Sequence, residues 1–265
     1  ALDGHVVMSN SQQNELAEYG YKYRELKDKQ INIMGAYDAK DKRQLVSKAM
    51  RGSLPDKLSV QELFVAFKFS NKTFLADSGF YSEENIGYFR KDDNHFVIPV
   101  PNTCAIAKMI KENLSFKDSF VYEHINDDGT RTLRTILYKE NTVAELEALD
   151  DLRKEEIANQ RNEMEKARCI GEEVPKKHYP QYNKKSNWGG DRVIVYRDQV
   201  MHDKLVYDYR SQIGTDSRHS DEDFQRLEPS FGVIVLRVDK TKEVLTAKDA
   251  YLAYKKRWSI MQISA

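Results

Sequence analysis

Hydrophobic and polar positions in the first hundred residues form short apolar runs separated by turn-forming stretches. Residues 1–9 (ALDGHVVMS), Gln30–Tyr37 (QINIMGAY) and, more weakly, Leu45–Met50 read as three strands, with Asp3 near the start of the first. The tyrosine-rich connection ELAEYGYKYRELKDK, with Gly20 and alternating charges, reads as a surface excursion. Ser59-Val60-Gln61-Glu62 has the capping-box pattern, and Leu63, Phe64, Ala66 and Phe67 supply an apolar face, which predicts a helix from Ser59 to Phe69. Thr73–Ala76 predicts a short buried strand that delivers Asp77 at its end. A Ser78-Gly79 turn follows, then a helix capped by Ser82 with Glu83 and Glu84 in its first turn, then a strand at His95–Val100. Three strands, helix, strand, helix, strand is a mixed α/β order whose first strands are expected to be antiparallel neighbours.

From Pro101 the pattern becomes irregular. Strands are predicted at Arg131–Tyr138 and Asp191–Tyr196. The charged segment Thr142–Arg168 fits a helical period loosely through Val143, Leu146, Leu149, Ile157 and Met164. Lys176–Arg192 (KKHYPQYNKKSNWGGDR) is locally basic and interleaved with Tyr179, Tyr182 and Trp188. The core signal returns at Phe231–Val238, an apolar run with the look of a central strand. Thr246-Ala247-Lys248-Asp249 then caps a last helix running towards Ile260. The expectation is an α/β core in two pieces, 1–100 and 230–265, around an insertion at 101–229.

Composition adds bounds. The 265 residues are 32% charged and 40% hydrophobic, with 42 basic against 42 acidic side chains, so the sum alone neither implies nor excludes a nucleic-acid partner. Cys104 and Cys169 lie far apart without CxxC spacing, which supports neither a disulfide framework nor a zinc ribbon and makes a reducing cytoplasm the default. No run of 18 apolar residues and no signal-peptide pattern is present. The first residue is Ala and runs straight into strand sequence, as expected of a piece of a longer protein.

Little chemistry is visible residue by residue. An aspartate at a strand's C-terminal mouth before a Gly turn is where α/β folds place metal or substrate chemistry, and it is also ordinary turn material. The six histidines show no ligand spacing, no phosphate-loop pattern occurs, and Ser78 and Ser82 have no His/Asp companion pattern. Tyr251, Tyr254 and Trp258 form a helical-period stripe, first of all core packing.

Taken together, LDGHVVMSNSQQNELAEYGYKY, QINIMGAYD, FLADSGFYSEENI and the closing YKKRW resemble the DDE transposases of bacterial insertion sequences, of the IS4-type group with an RNase H-like catalytic core. The resemblance covers nearly the whole chain. It implies an RNase H-like mixed sheet flanked by helices, interrupted by an α+β insertion, and an enzyme that cuts double-stranded DNA at transposon ends and joins it to a target. It further implies a Mg²⁺ cofactor (Mn²⁺ in its place), a synaptic homodimer and a cytoplasmic, DNA-associated location. The first two acids of the family's triad map to Asp3 and Asp77. Carboxylates on adjacent strands suit a site where two metal ions roughly 3.5–4 Å apart activate one oxygen and stabilise another.

The third acid is missing. The family's Tyr-x-x-Arg-x-x-x-Glu signature places three side chains on one helix face; here Tyr254 and Arg257 fill the first two places and Met261 the third. A thioether cannot replace a carboxylate on Mg²⁺, and Gln262-Ile263-Ser264-Ala265 contains no acid. Asp249 and Glu243 precede the signature and are not expected to substitute. The expectation is a transposase catalytic region with little or no strand transfer. The alternative is a catalytically dead fragment that binds DNA or an intact transposase and inhibits transposition, or that has no function. Within 176–192, Lys176, Lys177, Lys184, Lys185 and Arg192 are candidates to neutralise phosphates and Trp188 to stack on a base. A solvated hairpin loop explains the same stretch. Tyr254 and Arg257 are implied to reach the DNA backbone.

Overall fold

The computed structural model describes residues 1–9, 11–20, 28–126, 128–170, 188–215, 218–241 and 245–261, the last four of these as backbone only. Along the chain run β1 (Leu2–Met8), β2 (Gln30–Asp38), β3 (Arg43–Arg51), α1 (Asp56–Ala66), β4 (Thr73–Leu75), α2 (Glu83–Phe89) and β5 (His95–Pro99). Then come α3 (Ala105–Glu112), β6 (Asp118–Ile125), β7 (Arg131–Asn141), α4 (Val143–Cys169), β8 (Arg192–Asp198), α5 (Gln199–Gln212), α6 (Asp221–Leu227), β9 (Val233–Val238) and α7 (Ala247–Met261). Among the described residues no helix is long and apolar enough to cross a membrane.

The fold is mixed α/β. Strands β1-β2-β3 form one antiparallel sheet, and a six-stranded mixed sheet has the order β4-β5-β9-β8-β7-β6. By its contacts the chain divides into two compact units, Ala1–Pro101 with Leu236–Ala265, and Asn102–Val235.

In the first unit, β1 lies antiparallel to β2 with Asp3 opposite Gly35, β4 runs parallel to β5, and β5 pairs antiparallel with Leu236–Val238. The single sheet expected to carry Asp3 and Asp77 on adjacent strands is not what forms. β1 edges one sheet and β4, only three residues long, edges the other. Side chains bridge them instead: Leu2 and Met34 from the first sheet, Phe74, Phe96 and Ile98 from the second, and Leu63 and Phe89 from α1 and α2 share one buried cluster. At about 1.5–3 kcal/mol for each fully buried large apolar side chain, that cluster holds the two sheets more strongly than two or three ladder hydrogen bonds would.

Local chemistry sets the element ends. Ser82 Oγ accepts the Asn85 N–H at 3.1 Å and opens α2 as its sequence predicts. α1, by contrast, begins at Asp56 behind Pro55, three residues before the expected start. Ser59 lies buried inside it, its hydroxyl donating back to the Pro55 carbonyl at 3.3 Å, so the capping-box pattern there caps nothing. Of the expected surface excursion before β2, residues 21–27 lie outside the described residues, and the part around Leu16–Glu18 is tied to β2 and the end of β3. Glu18 and Gln30 exchange backbone hydrogen bonds of 3.1 and 2.9 Å, and the Gly52 N–H donates to the Leu16 carbonyl at 3.0 Å. A Cβ on Gly52 would sit 1.9 Å from the Gln30 carbonyl oxygen, so only glycine allows this approach.

In the second unit, β6 and β7 form a hairpin and β7 pairs antiparallel with β8. The charged segment is a 27-residue helix, α4. Thr142 and Glu145 form its capping box, and Leu146 and Ile157 are its buried contacts. α5 is capped by Asp198, whose Oδ1 accepts the Met201 N–H at 3.2 Å, and it buries no residue fully.

Candidate active site

Asp3 sits on β1 on the same face as His5, two residues on, and the strand's alternation brings its Oδ2 within 3.3 Å of His5 Nε2. Its Oδ1 accepts the Gly4 N–H at 3.1 Å. Tyr37, on the neighbouring strand, has its phenol pKa raised, first by burial and then by the negative charge of Asp3.

Asp77 follows β4 and caps the 3-10 turn Ser78–Phe80. Its Oδ1 accepts the Ser78 N–H at 2.6 Å. The same oxygen lies 3.5 Å from Arg257 Nη2. α7 makes this possible: Tyr254 and Arg257, one turn apart, are both buried, and the guanidinium lies over the Tyr254 ring at 5.5 Å. The Tyr-x-x-Arg pair of the last helix is thus folded onto the aspartate at the end of β4. Helical spacing puts position 261 on the same face, in the last turn of α7.

Two residues that sequence reasoning did not single out as a pair brace the turn after Asp77. Arg237, opposite Ile98 in the sheet, is wholly buried. It forks onto Glu83, Nη1 to Oε1 at 2.7 Å and Nη2 to Oε2 at 3.2 Å, and donates to the Tyr81 hydroxyl at 3.2 Å. A lone arginine inside the apolar run FGVIVLRV was the signal available for it. Asp249 is taken up by the helix start: its N–H donates to Thr246 Oγ1 at 3.1 Å and its Oδ2 accepts the Thr246 hydroxyl at 2.5 Å.

The structure does not bring the other implied DNA contacts to this place. Trp188 is 5% exposed. Arg192 is 6% exposed and fork-bonded to Glu140, Nε to Oε1 at 3.0 Å and Nη2 to Oε2 at 2.8 Å. Both are held inside the second unit rather than offered on its surface. Tyr254 and Arg257 are likewise buried in the first. Lys176, Lys177, Lys184, Lys185 and Glu243 lie outside the described residues.

Do these residues fit a divalent metal? Hard cations need several oxygen ligands directed at one point. Asp77 is engaged by an N–H and approached by a guanidinium, Asp3 accepts an N–H and has the His5 imidazole 3.3 Å away, and the third position is a methionine. Among the described residues no group of three or more His, Cys, Asp or Glu side chains assembles to hold an ion. As arranged, the residues present do not fit the Mg²⁺ centre that the resemblance implies. No family model, curated protein or solved structure matches the chain, so the geometry around Asp77 is the ground on which a functional reading stands.

Proposed function

We propose that the chain is a DDE-transposase-type catalytic region, RNase H-like in ancestry, whose DNA strand cleavage and transfer are lost. The observation that supports this is the approach of Arg257 to Asp77. The resemblance assigns Asp77 and the Tyr254-x-x-Arg257 helix to one site, and residues so far apart in sequence stand 3.5 Å apart. In this reading Arg257 supplies the positive charge that Asp77 faces, in the place where an active relative would use metal. Met261 stands at the third position, where the family has its carboxylate. Removal of one transition-state-stabilising group typically costs about 3–4 kcal/mol in barrier height, a hundredfold to thousandfold in rate.

The partner in this reading remains double-stranded DNA, bound without being cut, with a homodimer as the assembly. The burial of Trp188 and Arg192 leaves Lys184 and Lys185 to carry the phosphate contacts. The test is a supercoiled-plasmid nicking assay with Mg²⁺ and with Mn²⁺, beside salt-dependent binding to duplex DNA. The expected result is binding weakened by Lys184→Gln/Lys185→Gln, and nicking no faster than for Asp77→Asn. Metal-dependent nicking by the native chain that Asp77→Asn abolishes would overturn the loss of activity. Absence of any salt-sensitive DNA binding would overturn the DNA-binding role.

A further inference from the structure

We propose that the concavity formed by the β2–β3 turn, the start of β4 and one face of α7 binds an uncharged, mostly hydrocarbon small molecule with the chemistry of a medium-chain alcohol. The proposal does not depend on the DNA-binding reading. The cavity volume is about 500 Å³, within the range of roughly 300–1,000 Å³ typical of small-molecule sites. It lies wholly in the first unit. Its floor is apolar: Ala36, Phe74, Leu75 and Leu245 line it and are each buried. Asp249, Leu252, Ala253 and Lys256 recur at helical spacing, so one face of α7 supplies the second wall. Arg257, on the neighbouring face of that helix, turns to Asp77 instead.

Charge around the cavity comes in both signs and selects neither. Asp38 and Asp249 set two carboxylates against the ammonium groups of Lys40 and Lys72, and Lys256 has a partner of its own. Burial pushes the Ala1 amine in the lining down to about 6, so at neutral pH it adds little charge. Both carboxylates are held by local structure. Asp38 Oδ1 accepts the N–H groups of Lys40 at 2.8 Å and Asp41 at 3.1 Å, and Asp249 is bonded to Thr246 at the start of α7. A charged head group entering the cavity gives up water and meets repulsive neighbours as well as attractive ones, so its burial is unfavourable whichever sign it carries. Hydrocarbon in the same space gains in proportion to the apolar area it covers. A hydroxyl both donates and accepts, which suits a rim of mixed sign.

The experiment uses hexanol, octanol and decanol as probes of growing apolar area, with decanoate and decylammonium as charged counterparts. Calorimetric titration of the full chain should show affinity rising about tenfold for each added pair of methylenes, as burial of hydrocarbon requires. Raising the salt concentration about tenfold should change decanol affinity by less than about twofold, because no net charge is engaged. Decanoate and decylammonium should each bind less tightly than decanol. Ala253→Trp, which fills the concavity from the helix side, should abolish binding, with thermal unfolding as the check that the variant folds. Methyl chemical shifts of the native protein give a readout that needs no variant: decanol should move Leu45, Leu75, Leu245 and Leu252. No binding, affinity indifferent to chain length, either ion binding as tightly as decanol, or shifts confined to other methyl groups would overturn the proposal.

Discussion

Arg237 and Glu83 form a forked ion pair in which the guanidinium is wholly buried and the carboxylate is about half exposed. The two ends of such a pair are not equivalent. Removing the carboxylate takes its forked partner from a charge that cannot reach water, whereas removing the arginine releases a glutamate that already can. Glu83→Ala should therefore cost about 2–3 kcal/mol, less than the roughly 3–5 kcal/mol for breaking a fully buried pair because Glu83 is partly solvated. Arg237→Met, which fills the same volume without charge, should cost less. Urea unfolding of the two variants gives the ordering directly, and a larger loss for Arg237→Met would show that Arg237 acts through more than this fork.

The approach of Asp77 to Arg257 makes a different prediction, because here the arginine is buried and the carboxylate is 43% exposed. A pair so open to solvent is worth at most about 1 kcal/mol, and Asp77→Asn should lower stability by no more. Arg257→Ala should lower it by about 2–4 kcal/mol, since it removes a long packed stem and the contact with Tyr254. Equal losses in denaturant titrations would mean that the ion pair, and not the packing, anchors α7.

Glu145 ties α4 to pH. Hydrogen bonds from the Thr142 backbone and then from the Lys139 ammonium bring its pKa down from 4.5 to about 2. A carboxylate with a lowered folded-state pKa stabilises the protein at pH above its unfolded value. That contribution fades as pH falls from about 4.5 through about 2. Unfolding free energies of the native chain and Glu145→Gln should converge across this window and diverge above it. Parallel curves would show that the charge on Glu145 contributes nothing.

Two glycines should respond differently to alanine. At Gly52 the new methyl would meet the Gln30 and Glu18 carbonyl oxygens at 1.9 and 2.6 Å, so backbone must move. A loss of about 2 kcal/mol or more is expected, with thermal melting as the readout. At Gly79, directly after Asp77 and Ser78, nothing lies within 4 Å and the backbone is not left-handed. Gly79→Ala should change stability by less than about 0.5 kcal/mol.

Some of this structure is legible in the amino-acid order because it is local. The Ser82 and Thr246 caps are satisfied within three residues of themselves, and the apolar runs of β5 and β9 show as strands before their distant partners are known. Ser59 misleads because its capping pattern recurs one turn inside a helix that Pro55 has already opened. β6 escapes notice because an edge strand with alternate residues exposed carries no continuous apolar run, and α5 because it buries nothing fully and so has no apolar face to read. At the candidate site, Asp77 and Tyr254-x-x-Arg257 are visible as motifs, but the partners of each carboxylate are not. His5 beside Asp3 and Arg257 beside Asp77 are products of packing, and among the described residues no third ligand joins either carboxylate.

Strand β9 belongs to the second unit through Val235 and to the first from Leu236 onward. The order in which the ribosome delivers the chain then matters. Residues 1–101 emerge with the edge of β5 unpaired and the place of α7 empty, and they wait for another 134 residues, Asn102–Val235, before Leu236–Val238 arrives to pair with Val97–Pro99. Closing contacts so distant in sequence is slow, and an open strand edge meanwhile is a template for other chains. The nascent first unit is therefore the stage at which this protein is most exposed to aggregation, and a chaperone that shields a bare sheet edge would act before residue 236 is made.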